Sequence, residues 1–133
     1  MSLFEIQKAI DDKLAADSAV QALLGNPARL YDAVPPSMPL MPYVTYGEMI
    51  KADFDTKTSN GHDVELTIHS WSSYRGKKET EDILQAIYNC LHRQPLTATG
   101  YTIMQMRVIA QQSFMDSDGL TRHGVARVRI IVE

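Results

Sequence analysis

The sequence predicts an α+β fold: one small domain in which an antiparallel or mixed sheet of about four to five strands packs on helices, in the order α-α-β-β-α-β-β. Three observations predict it. Apolar residues recur at steps of three and four in residues 2–16 and again in 77–92, the spacing of a helix with one buried face. Alternation by two runs through 63–71, 101–116 and 125–133, the period of strands with one buried side. Five of the six prolines stand between 26 and 42, where they separate the first helices from the first long strand. A chain of 133 residues, 44% hydrophobic and 22% charged, has the size and composition of one globular domain spanning 1–133.

In residues 2–16, Leu3, Ile6, Ile10 and Leu14 draw one apolar stripe, and Ser2 is placed to cap it. Asp17 caps a second short helix through Val20, Leu23 and Leu24, and Gly25 suits its end. "RLYD" reads as a short edge strand, and "VPPSMPLMP" as an extended connection. "YVTYGEMI" (43–50) is β-branched and aromatic. "DVELTIHSW" sets Val64, Leu66 and Ile68 against Glu65, Thr67 and His69. Between these two strands, residues 51–62 form a longer connection than a hairpin needs, and this predicts a mobile loop that orders against a partner.

The helix over 77–92 turns Ile83, Leu84, Ile87, Tyr88 and Leu91 to one side, and Pro95 follows its end. Next, Met104, Met106, Val108 and Ala110 alternate with Gln105, Arg107, Ile109 and Gln111, with the methionines read as core. Asp118-Gly119 marks a hairpin turn. The last strand alternates Ala126, Val128, Ile130 and Val132 with Arg127, Arg129 and Ile131.

Charge and cysteine content narrow the function. A net charge of −3 supplies no overall positive field for nucleic acid, although the alternation gathers Arg107, Arg127 and Arg129 into a local patch on one sheet face. That patch reads as a solvated face paired with Glu65 and Glu48, as a subunit contact, or as the lumen of a ring through which nucleic acid passes. Cys90 is the single cysteine, which fits a reducing compartment and excludes an intrachain disulfide. The N-terminus lacks the basic start and apolar run of a signal peptide, and no apolar run approaches the roughly 20 residues that span a bilayer.

No stretch carries a catalytic pattern of high specificity. "YRGKKE" (74–79) has one glycine and no Ser or Thr after its lysine, so it is not a phosphate loop. It reads as a corner between strand and helix, or as a contact surface built on Tyr74, Arg75, Lys77 and Lys78. Glu79, Glu81 and Asp82 follow at once with the sign that a helix start favours. None of the four histidines is spaced as a helical metal pair. "DSDG" (116–119) departs from a calcium loop at Leu120 and Thr121. A small metal-dependent hydrolase or nuclease would have to draw on His69, His123, Asp116 and Asp118. Trp71 and Tyr74 serve equally as a core edge or as anchors for a partner.

Taken together, "LYDAVPPSMPLMPYVTYGE", "DFDTKTSNGHDVELTIHSWS", "YRGKKE", "ILQAIYNCLH" and "DSDGLTRHGVARVRI" make the chain resemble the phage tail completion family, which is similar to the tail terminators of lambda-like phages and occurs in gene transfer agents. The resemblance implies a structural, non-enzymatic subunit of the virion, assembled in the bacterial cytoplasm, with neither cofactor nor metal. Six copies would form a ring on the end of the tail tube, stop its polymerisation and meet the head connector, with DNA passing through the lumen and no membrane partner. A head-closure or other neck protein is the nearest alternative. The expected assembly residues are Asp53, Asp55, Lys57, Trp71, Tyr74, Arg75, Lys77, Lys78, Arg107, Arg127 and Arg129.

Overall fold

A computed structural model describes residues 2–34, 37, 39–53 and 61–133. Helix α1 (Phe4–Ala16) and helix α2 (Ser18–Leu24) open the chain, followed by strands β1 (Leu30–Tyr31), β2 (Tyr43–Asp53) and β3 (His62–Ser72). Helix α3 (Lys78–Leu91) precedes the closing strands β4 (Ile103–Met115) and β5 (Arg122–Val132). The five strands form one mixed sheet in the order β1-β2-β3-β5-β4, parallel between β1 and β2 and antiparallel elsewhere. The predicted fold class is the observed one. The short "RLYD" strand is real, parallel to β2, and stands at the sheet edge as expected.

The helical stripes close the core. Ile6, Ile10 and Leu14 of α1, Val20 and Leu24 of α2, and Ile83, Ile87 and Leu91 of α3 are buried against Val64, Leu66, Ile68, Val128 and Ile130 of the sheet. Each such side chain contributes about 1.5–3 kcal/mol on leaving water. Asp17 accepts the Val20 N–H at 3.0 Å and so fixes the break between α1 and α2, as its position predicts. Ser2 is not the N-cap of α1: that position is Leu3, and Ser2 Oγ accepts the Phe4 N–H at 3.2 Å from one residue further out. Tyr46 of β2 donates to Asp11 of α1 at 2.8 Å, and burial together with this contact raises the Tyr46 pKa.

Two sequence expectations are corrected. Lys51, Ala52 and Asp53 belong to β2, paired with Val64, Asp63 and His62, so the expected loop over 51–62 begins later and ends sooner. Backbone pairing with β3 carries the ladder through the polar end of β2. The expected mobility of this connection, with Asp55 and Lys57, lies outside the described residues.

In β4 the strict alternation fails. Its register with β5 shifts between Ile103 and Gln105 and between Val108 and Ala110. Each bulge inserts a residue and reverses which side chains face the core. Met106 is therefore buried, whereas Met104 is 58% exposed and does not fill the core. Beyond the second bulge Gln111, not Ala110, turns to the helix side, where its amide donates to Leu84 O at 2.8 Å.

Candidate assembly surface

All three helices contribute to the core on one face of the sheet, and the other face carries a row of polar and aromatic side chains. Cross-strand register decides which of them meet. Trp71 of β3 lies opposite His123 of β5, which in turn lies opposite Phe114 of β4. The Trp71 and His123 rings stack at 3.9 Å and 19°, Phe114 tilts against His123 at 4.8 Å, and Trp71 Nε1 donates to Thr45 Oγ1 at 3.1 Å. Phe114 is not among the sequence candidates, because the bulge at 108–110 hides its face from simple counting.

His69 joins this cluster diagonally. Its Nδ1 and His123 Nε2 are 2.8 Å apart, one ring donating and the other accepting. Gly47 makes room for it, since a Cβ there would stand 2.5 Å from His69 Nε2. Burial lowers the pKa of His69 against the opposing pull of Glu48. Burial and then the neighbouring His69 lower that of His123, against Asp116.

These shifts have a definite pH signature. Both histidines bind protons less readily folded than unfolded, so their contribution to stability is complete above the unfolded value near 6.5 and is lost as pH falls through the lower folded values. Denaturant midpoints measured from pH 7.5 to pH 5 are expected to fall more steeply for the wild type than for His123→Phe. Parallel curves would show that the pair is not the cause.

The arginines occupy the other half of the same face. Arg129 holds Asp63 with Nε at 2.9 Å and Nη2 at 2.6 Å, and Arg127 lies 3.8 Å from Glu65. Asp63, not the expected Glu48, is thus the main acidic partner. It lies two residues along β3 from Glu65, and the diagonal reach of Arg129 selects it. Arg107 stands directly opposite Arg129 and has no hydrogen-bond or ion-pair partner among the described residues. Beside Arg127, Ala110, Gln112 and Val125 line a shallow cavity of about 220 Å³.

The "YRGKKE" stretch is the corner that the sequence suggested. Ser72 Oγ donates to Glu79 at 2.6 Å and accepts the Tyr74 N–H, tying the end of β3 to the first turn of α3. Lys77 occupies the N-cap position, Lys78 pairs with Asp82 at 2.7 Å, and Tyr74 is half-exposed. Arg122 donates to Arg75 O at 3.2 Å, so the β4–β5 hairpin is fastened to this corner. Asp53, at the far end of β2, lies 3.4 Å from His62.

Hydrolytic chemistry finds little support in this geometry. Asp118 is occupied within its own turn by Leu120 and Thr121, and the Thr121 hydroxyl in particular lowers its pKa. Among the described residues no group of three or more His, Cys, Asp and Glu is arranged to hold a metal. Cys90 is buried, and burial raises its thiol pKa to about 11, so it is not a poised nucleophile. No described helix is long and apolar enough to cross a membrane.

The profile of the family described as tail completion protein gp17 matches residues 8–133. The chain belongs to the tail completion protein gp17 family. Among gp17 relatives, the tail completion protein of Bacillus phage SPP1 is 31% identical over 91 residues, covering 68% of this chain and 67% of its own length. A structure of the SPP1 gp17 protein matches 97% of the chain and 91% of its own at TM-score 0.64 and 26% identity. A chain in the virion of a native gene transfer agent particle matches more closely, at TM-score 0.87 and 26% identity, over 96% of this chain and 94% of that one. The family resemblance read from the sequence is thereby established, and gp17 proteins are structural components of phage tails.

Proposed function

We propose that this tail completion protein forms a closed ring of six copies on the end of the tail tube, stops tube polymerisation and joins the tube to the head connector. The observation that most supports the reading is its likeness, over nearly the whole chain, to a chain in an assembled virion. The open sheet face fits such a role, because a ring needs two different patches that bind each other from copy to copy. The corner group of Tyr74, Arg75, Lys77 and Lys78 and the open-face group of Trp71, Arg107, Arg127 and Arg129 are the contact surfaces in this proposal, together with Asp53 at the far end of β2 and with Asp55 and Lys57, which lie outside the described residues. Arg107, without an ion-pair partner among the described residues, suits a lumen through which DNA passes, where its charge meets phosphate.

Deleting the gene from its phage or gene transfer agent is expected to give tails of uncontrolled length without heads, and a fall in infectious or transducing titre of several orders of magnitude. Electron microscopy of lysates reads the first and plating the second. Tails of normal length carrying heads would overturn the proposal. Protein found on connector rings but never on tubes would place it instead in the neck.

A further inference from the structure

The sheet has two free edges, and they are different from one another. On one side β1 covers only Val44 and Thr45 of β2, so the stretch from Gly47 to Asp53 has no strand beside it among the described residues. On the other side β4 is the last strand, but the middle of its edge is already occupied. Arg93 N donates to Met106 O at 2.9 Å, and Val108 N donates to His92 Nδ1 at 3.1 Å. Beyond these contacts, Ala110 to Met115 has no strand beside it among the described residues. We propose that the ring closes by strand pairing, with Gly47–Asp53 of one copy laid antiparallel along Ala110–Met115 of the next; this rests on the ring reading above.

Three observations favour a second copy as the occupant. First, β2, β3, β5 and β4 alternate in direction, so the β2 of a following copy meets β4 antiparallel and the alternation continues without interruption. A rotation that places one edge on the other generates a heterologous interface, the kind that closes into rings.

Second, the obstructions set a definite stagger. Ile50, Glu65, Arg129 and Arg107 lie on one line across the sheet, and Thr45, His69, Val125 and Gln112 on another, four residues away along β3. Setting Ile50 beside Gln112 of the neighbour keeps β1 beyond the end of β4 and keeps β2 clear of His92 and Arg93. Four residues rise about 14 Å and four strand spacings cover about 19 Å. The resulting slope of about 35° falls within the strand tilt of roughly 35–45° at which sheets close on themselves.

Third, the pairing covers apolar surface that the single chain leaves open. Ile50 is 55% exposed and Phe114 39%, on the same face of the sheet. Opposite Gln112, Ile50 would lie diagonally between Ala110 and Phe114, within reach of cross-strand contact. Free edges of this kind invite uncontrolled association. Here β1 at one end of β2, and His92 and Arg93 beside 106–108 of β4, restrict the registers in which the two edges can pair.

The test is a cysteine pair, Ile50→Cys with Gln112→Cys, in the full chain. These positions stand on opposite edges of the sheet, too far apart for a bridge within one copy. Oxidation of assembled protein is expected to give a ladder of covalent multimers ending at the ring number, with each single variant remaining monomeric on a denaturing gel. On wild-type protein, amide exchange at 47–53 and 110–115 is expected to slow at least about tenfold on assembly while 106–108 is unchanged. Rings seen by native mass without a ladder, for this pair or for Ile50→Cys combined instead with Ala110→Cys or Phe114→Cys, and without the exchange protection, would refute edge pairing and leave the ring reading intact. Failure to assemble on tubes at all would remove both.

Discussion

Replacing Gly124 by leucine is expected to lower the stability of the folded chain by about 3 kcal/mol or more, enough to shift the thermal midpoint by about 10 °C. Gly124 lies on the helix side of β5, between Ser70 of β3 and Ser113 of β4. A Cβ there would run into Ser70 Oγ and stand 3.0 Å from Thr80 Cγ2 and 3.3 Å from Leu84 Cδ2. Thr80 and Leu84 are buried and belong to α3, so they retreat only if the helix moves from the sheet. Against a total stability of about 5–15 kcal/mol this is a large share. Gly124→Ala with Ser70→Ala is expected to lose less than Gly124→Ala alone, because removing the hydroxyl relieves the first clash. Equal losses in both would show that the close approach of helix and strand is not the cause.

Ile87→Ala is expected to cost about 2–5 kcal/mol by opening a cavity in the core. Ile87 is 1% exposed and packs where α3 meets α2, beside Val20 and Leu24. The neighbouring Gln85→Ala, on the exposed side of the same helix, is expected to change stability by no more than about 0.5 kcal/mol. Urea unfolding of the two variants measures the difference, and comparable midpoints would refute the assigned helix face. The consequence for function is separable: any loss of assembly in the Ile87 variant tracks its lowered stability, whereas a variant at an open edge is expected to keep its stability and lose only the ring.

The helical elements were legible because their signals are local. Leu3, Ile6, Ile10 and Leu14 repeat with the helix period, Asp17 is a cap wherever a helix begins, and the two-residue turn chemistry at Asp118-Gly119 acts within four residues. The β4 face assignment failed for a corresponding reason. A bulge is a relation between two strands, and neither Met104 nor Ile109 announces in its own neighbourhood that β5 skips it. The same holds for the end of β2, where Lys51 and Asp53 are poor strand formers held in place by partners on β3.

The sequence by itself determined the fold class, the helix faces, the family and the absence of any recognisable catalytic pattern, because these rest on periodicity and on the order of motifs along the chain. Only the tertiary structure decided that His69 meets His123, that Arg129 takes Asp63 while Arg107 finds no partner among the described residues, and that parts of both sheet edges are covered. Those contacts join residues 54 to 66 positions apart, or depend on where neighbouring elements end. Pairing register and bulge position fix them, and both are properties of the assembled sheet, in which each strand's place is set by all the others.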